Sequence, residues 1–179
     1  MVCKNTDPCF FDMLDGKTIS CKNLISCQKQ RHNDGKVSCT DRRSSAYHLE
    51  NPDGLTAVVV RIDGGVIRDN NTRKCDYALL LGKSGHKPIA ILVELKGSHV
   101  REAFEQIKAT LYTLKDTLQK FSKVYGRIII NASPDIRGPD YNKFQKWLKS
   151  NYPNVCCKRQ EGSRPIESVT FDGTNIVLK

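Results

Sequence analysis

A chain of 179 residues, 39% of them hydrophobic, is long enough to bury about two-thirds of its unfolded surface around one core and does not require a second domain. Its 29 Lys and Arg against 19 Asp and Glu leave a formal charge of +10 and a pI near 9.3, a balance that favours a polyanion such as DNA or RNA as partner. No apolar run approaches the roughly 18 residues of a membrane span, and Met1–Pro8 is polar where a signal peptide would be apolar. The expectation is therefore a cytoplasmic protein with no membrane contact and with its eight cysteines reduced.

The first forty residues are polar, cysteine-bearing and rich in turn signals, at Asp15-Gly16-Lys17 and Asn33-Asp34-Gly35-Lys36. Five cysteines fall there at alternating spacings of 6 and 12, and Cys-Lys-Asn occurs at both Cys3 and Cys21. Short strand-and-turn units repeated every 18 residues would give that pattern, and so would chance. A Zn²⁺ site drawing on Cys3, Cys9, Cys21, Cys27 and His32 or Cys39 is one reading, because thiolates and imidazole are preferred zinc ligands. Structural zinc sites usually separate paired ligands by about two to four residues, whereas these pairs are separated by five, which favours small buried thiols instead.

Asp41–Asn51 reads as a short helix with Glu50 at its end, closed by the turn Asn51-Pro52-Asp53-Gly54. Leu55–Asp63 is β-branched and reads as a strand, followed by Gly64-Gly65 and a polar turn at Asp69-Asn70-Asn71. Asp76–Leu81 and Ile89–Leu95 are two apolar strands, and the connection from Gly82 to Pro88 makes them a hairpin. After Gly97-Ser98, the residues Val100, Phe104, Ile107, Leu111, Leu114, Leu118 and Phe121 recur at steps of four and three, defining one face of a long helix. Gly126–Ala132 is then a buried strand, which the helical crossover makes parallel to the strand ending at Leu95. A second amphipathic helix from about Asp140 turns Tyr141, Phe144, Trp147 and Leu148 inward, the two large aromatics as core and not as base-stacking platforms. Ser168–Leu178 closes the chain as a hairpin around Asp172-Gly173, a pair suited to a two-residue loop. The organisation expected is one domain over 1–179, with a cysteine-bearing extension (1–40), a core (41–152) and a C-terminal hairpin (153–179).

Within the apolar hairpin stands Glu94-Leu95-Lys96. One Glu-x-Lys triplet is what chance supplies in a chain of this composition, so its placement carries the weight. Side chains alternate along a strand, so Glu94 and Lys96 share one face, about 6.5 Å apart, while Ile91, Val93 and Leu95 line the other. Folding the hairpin symmetrically about Gly85 sets Asp76 opposite Glu94 on that face, Cβ atoms about 5 Å apart. Two carboxylates so placed repel, and a divalent cation removes the conflict. Hard oxygen ligands suit Mg²⁺ or Mn²⁺, which keep bound water and bridge to phosphate oxygens. Lys96 beside them can orient or deprotonate an attacking water, or stabilise charge on a phosphate. The plainer alternative is that Asp76 ends a strand while Glu94 and Lys96 make an ordinary ion pair, which leaves the polar interruption of one face unexplained.

This order of elements, with Cys75-Asp76-Tyr77 and Val93-Glu94-Leu95-Lys96-Gly97 on paired strands, resembles the PD-(D/E)XK nuclease superfamily of restriction endonucleases, Holliday-junction resolvases and repair nucleases. The resemblance spans roughly Asp41 to Leu148, and it implies an α/β fold with a mixed central sheet (αβββαβ core) flanked by helices. It also implies a Mg²⁺-dependent phosphodiester hydrolase, a DNA endonuclease leaving 5′-phosphate ends. By it, Asp76 and Glu94 bind metal, the Leu95 carbonyl joins them, and Lys96 acts with the attacking water. Relatives that cut both strands are often homodimers. Cys75 stands where the literal motif has proline. Pro52-Asp53 and Pro134-Asp135 match the letters but lie in turns. An acidic residue from the first helix is commonly added, which by order is Glu50, with Asp63 as rival. Several subgroups also use a helical glutamine, a place that Gln106 occupies.

For nucleic-acid contact the candidates are His99 at the start of the long helix, Lys83 and Lys87 flanking the hairpin loop, and Lys143 and Lys146, with Lys149, on the second helix. DNA is favoured over RNA only through the resemblance. Two other classes stay open: a catalytically silent nucleic-acid-binding module on the same fold, and an interaction protein organised by zinc at the N-terminal cysteines.

Overall fold

The computed structural model describes residues 6–17, 28–32, 35–40, 45–96, 100–130, 138–161 and 165–179. Long apolar stretches at Thr56–Arg61 (β4), Tyr77–Gly82 (β5), Ile89–Lys96 (β6) and Lys123–Ile130 (β7) form the middle of a six-stranded sheet. Gln28–His32 (β1) and Val155–Glu161 (β8) are its edges, in the order β1-β4-β5-β6-β7-β8. The first three pairings are antiparallel and the last two parallel. A four-stranded sheet, also mixed, is built from Lys36–Thr40 (β2), Ala46–Glu50 (β3), Ile166–Phe171 (β9) and Ile176–Leu178 (β10), in the order β10-β9-β3-β2.

Both faces of the large sheet are buried, which explains why its central strands are apolar without alternation. Val58, Val60, Ala78, Leu80, Ala90, Leu92 and Ile128 pack beneath helices; Ala57, Val59, Leu79, Leu81, Ile91, Val93 and Ile129 pack against the smaller sheet. The helices are Thr6–Asp15 (α1), Val100–Thr113 (α2), Lys115–Leu118 (α3) and Pro139–Asn151 (α4). They deliver Phe10, Met13, Phe104, Ile107, Leu111, Phe144 and Leu148 to the first of these cores. None is long and apolar enough to cross a membrane. The two sheets are pinned by a buried ion pair, Arg127 Nε to Glu167 Oε2 at 2.6 Å, with the Tyr47 hydroxyl donating to the same oxygen at 2.6 Å.

The long amphipathic helix is present as α2 followed by the short α3, both keeping the expected face inward. Four expectations are corrected. Residues 46–50, read as helix, are strand β3: Tyr47 and Leu49 turn inward, His48 and Glu50 do not, and β2 and β9 take up both edges. Pairing on both sides overrides the local helical reading. Helix α1 falls in the segment read as turns, its Cys9, Phe10, Met13 and Leu14 forming one buried face. Strand β8 extends the large sheet beyond residue 152, although its sequence is mostly polar, because an edge strand needs only one paired side. The C-terminal hairpin pairs Phe171 with Ile176 and the Asp172 amide donates to the Asn175 carbonyl at 3.1 Å, so the turn centres on Gly173-Thr174, one residue later than Asp172-Gly173, and Asp172 Oδ1 accepts the Thr174 and Asn175 amides.

Candidate active site

The hairpin register decides where the polar residues meet. Strands β5 and β6 pair Tyr77 with Val93 and Leu81 with Ile89, so Asp76, one residue beyond the ladder, faces Glu94. At that point the Asp76 carboxylate takes the place of a ladder acceptor: its Oδ2 receives the Leu95 amide at 2.7 Å. Its carbonyl receives the Ile62 amide at 2.9 Å, tying the end of β4 to the same spot.

Glu94 is 1% exposed. Burial first, and the neighbouring Asp76 charge second, push its carboxyl up to about 9. Its Oε2 is buried and accepts no hydrogen bond among the described residues. Lys96 Nζ stands 4.0 Å from Glu94 Oε1, too far for a hydrogen bond, but donates to Gln106 Oε1 at 3.0 Å and meets Glu102 Oε2 at 3.1 Å. Gln106 in turn donates from Nε2 to the Lys74 carbonyl at 3.0 Å, which fixes its Oε1 toward Lys96. One turn on, Thr110 Oγ1 receives the Cys75 amide at 2.8 Å and donates to the Gln106 carbonyl at 2.8 Å. Helix α2 thus holds both Lys96 and the segment leading into Asp76. Above them opens a cleft of about 330 Å³ lined by Asp63, Arg73, Lys74, Lys96, Glu102 and Gln106.

Asp76, Glu94, Lys96 and Gln106 are therefore neighbours, and Leu95 joins them through its amide. Asp63 sits at the cleft, 3.3 Å from Lys74 Nζ. Glu50 does not join them: it is exposed on β3 of the smaller sheet, opposite Lys36 and Ser168. Lys83 and Lys87 are exposed at the other end of the hairpin, more than about 16 Å of strand from Glu94. Lys143 and Lys146 are exposed on α4; Lys143 lies 3.9 Å from Asp140, which also approaches Arg101 of α2 at 3.8 Å. His99 lies outside the described residues. Lys74, Glu102 and Thr110 were not singled out by sequence; the only signal for Thr110 was its position one helical turn after Gln106.

For a divalent ion, the donors on offer are hard oxygens. Among the described residues no group of three or more His, Cys, Asp or Glu is disposed to hold a metal. Two carboxylates suffice for Mg²⁺, which retains water and completes its shell on substrate phosphate. The orphaned Glu94 Oε2 and the adjacent Asp76 carboxylate fit that role. The zinc alternative finds no support at the cysteines in view: Cys9 belongs to the core under the helices and Cys39 to the core between the sheets, on opposite faces. Cys3, Cys21 and Cys27 lie outside the described residues, and so does the side chain of His32. Comparison with protein-family models, curated proteins and solved structures gives no match to this chain.

Proposed function

We propose that this chain is a Mg²⁺- or Mn²⁺-dependent phosphodiester hydrolase of the PD-(D/E)XK type with a restriction endonuclease-like core, acting on DNA as an endonuclease and leaving 5′-phosphate ends. The observation that carries the reading is the buried Glu94 carboxyl, with an unsatisfied oxygen, facing the Asp76 carboxylate across the β5–β6 hairpin. Beside the half-buried Asp76, the buried Glu94 is held in its neutral form unless a cation compensates the pair, and a purely structural role gives no reason to place a carboxyl with an unsatisfied oxygen there.

Asp76 and Glu94 would hold the ion, with the Leu95 carbonyl as a further oxygen. When bound, such an ion polarises a phosphoryl oxygen and lowers the pKa of its water. Lys96 supplies the fixed positive charge. Of its three ammonium protons, Gln106 and Glu102 take two in this arrangement, leaving one for a phosphate oxygen or the attacking water. Gln106 acts as a positioning residue, since its amide orientation is set by the Lys74 carbonyl. The charge of +10 promotes encounter with DNA but selects no sequence.

The test is cleavage of plasmid, duplex, single-stranded, junction and RNA substrates in Mg²⁺, in Mn²⁺ and in EDTA, with the new ends typed by a phosphatase-dependent labelling assay. Cutting that requires the ion and leaves 5′-phosphates supports the reading. A protein that binds DNA but never cuts it favours the silent binding module.

A further inference from the structure

The 62–76 connection between β4 and β5 brings to the cleft a cation that the hydrolytic reading does not use. Its backbone is held by hydrogen bonds. Asp69 Oδ1 receives the Asn71 amide at 3.0 Å, Lys74 Nζ donates to the Asp69 carbonyl at 2.6 Å, and Gln106 and Thr110 of α2 bind the Lys74 carbonyl and Cys75 amide. Arg73 lies in sequence between these bonded neighbours, exposed and lining the cleft. It lies three residues before Asp76, no more than about 11 Å of chain away.

The three cations of the cleft differ in what occupies them. Lys96 is engaged by Glu102 and Gln106, and Lys74 by Asp63 and the Asp69 carbonyl. Arg73 makes no ion pair or hydrogen bond among the described residues. A guanidinium presents a planar fork of donors that matches two oxygens of one phosphate, and here that fork is not spent on the protein.

We propose that Arg73 binds a backbone phosphate of the substrate strand next to the one cleaved, so that the preferred substrate is a polynucleotide with consecutive phosphates and not an isolated phosphodiester. This rests on the hydrolase reading of Asp76, Glu94 and Lys96, of which Lys96 lines the same cleft. Asp76, Glu94 and Lys96 sit together at the ends of β5 and β6 and serve the reacting phosphate. Arg73, which lines the cleft from the 62–76 connection, serves its neighbour in the chain.

The experiment has two arms, each on wild type, Arg73→Lys and Arg73→Ala. In the first, binding of a short labelled single-stranded DNA is measured in EDTA over a range of salt. Arg73→Ala is expected to weaken binding about tenfold and to reduce the slope of log K against log salt by about 0.7, the release from one phosphate contact. Arg73→Lys is expected to keep the slope and lose part of the affinity, because it keeps the charge without the fork. In the second arm, with Mn²⁺ present, Arg73→Ala raises KM for the oligonucleotide and leaves hydrolysis of bis(p-nitrophenyl) phosphate within about twofold of wild type. An unchanged affinity and salt slope overturns the proposal, as does an equal loss on both substrates. Arg73-dependent binding by a protein that hydrolyses neither substrate would instead defeat the hydrolase reading and leave the phosphate contact standing.

Discussion

Asp76 receives the backbone amide of Leu95 on its Oδ2 at 2.7 Å, which locks its carboxylate at the end of the hairpin ladder beside the buried Glu94. In the metal-free protein this arrangement has a pH signature. Glu94 titrates near 9 when folded, against an ordinary 4.5. Its contribution to stability is therefore fully present below about 4.5 and lost as pH rises through about 9, because the folded state binds a proton that the unfolded state has given up. Denaturant melts in EDTA should show stability falling between these limits, with a slope approaching about 1.4 kcal/mol per pH unit from this group. Glu94→Gln should flatten that fall, and Mg²⁺ should stabilise wild type more at pH 8.5 than at pH 6. Parallel pH profiles for wild type and Glu94→Gln would contradict this account of the pair.

Gln106 joins Lys96 to the Lys74 carbonyl, with both bonds at 3.0 Å. Its removal leaves the ammonium on Glu102 alone, free to shift toward Glu94. Gln106→Ala is expected to lower kcat about 10- to 100-fold, the pattern of a misplaced group that acts in the transition state, with a smaller rise in KM through the Lys74 carbonyl that it also holds. Steady-state kinetics on one oligonucleotide decides the matter. A change confined to KM would make Gln106 a binding residue instead.

The seam between the sheets carries a different prediction. Arg127 is 1% exposed and depends on Glu167, which also receives the Tyr47 hydroxyl. Glu167→Ala leaves a buried guanidinium uncompensated and should cost about 3–5 kcal/mol. The double variant Arg127→Met with Glu167→Leu should recover part of that loss, because it removes both charges while filling similar volume but still leaves the buried Tyr47 hydroxyl without its acceptor. Equilibrium unfolding measures both. A loss under about 1 kcal/mol in the single variant would show that the pair contributes no more than an exposed one.

What could be read from the sequence was whatever depends on near neighbours. The β5–β6 register follows from folding two apolar runs symmetrically about a loop centred on Gly85, whose φ of 79° suits glycine. The face of α2 follows from its apolar periodicity, whereas Gln106 comes from the family resemblance alone. Strand β3 escaped because its partners are remote: His48 pairs with Ser38 on one side and with Ile166 on the other. Glu50 was singled out by its order in the chain, and order carries no information about which sheet a strand joins. Lys74 and Arg73 escaped for a related reason. Their connection takes its shape from Gln106 and Thr110, more than thirty residues away, so nothing local marks it as a cleft wall.

The most direct measurement is the rate of Mg²⁺-dependent DNA cleavage by Glu94→Ala and Lys96→Ala beside wild type and Glu50→Ala, with circular dichroism establishing that all four proteins are folded. The account predicts that the first two lose at least about a hundredfold in rate. Glu50→Ala, altered on the remote sheet, should cut like wild type. Cleavage by Glu94→Ala and Lys96→Ala at the wild-type rate would contradict it.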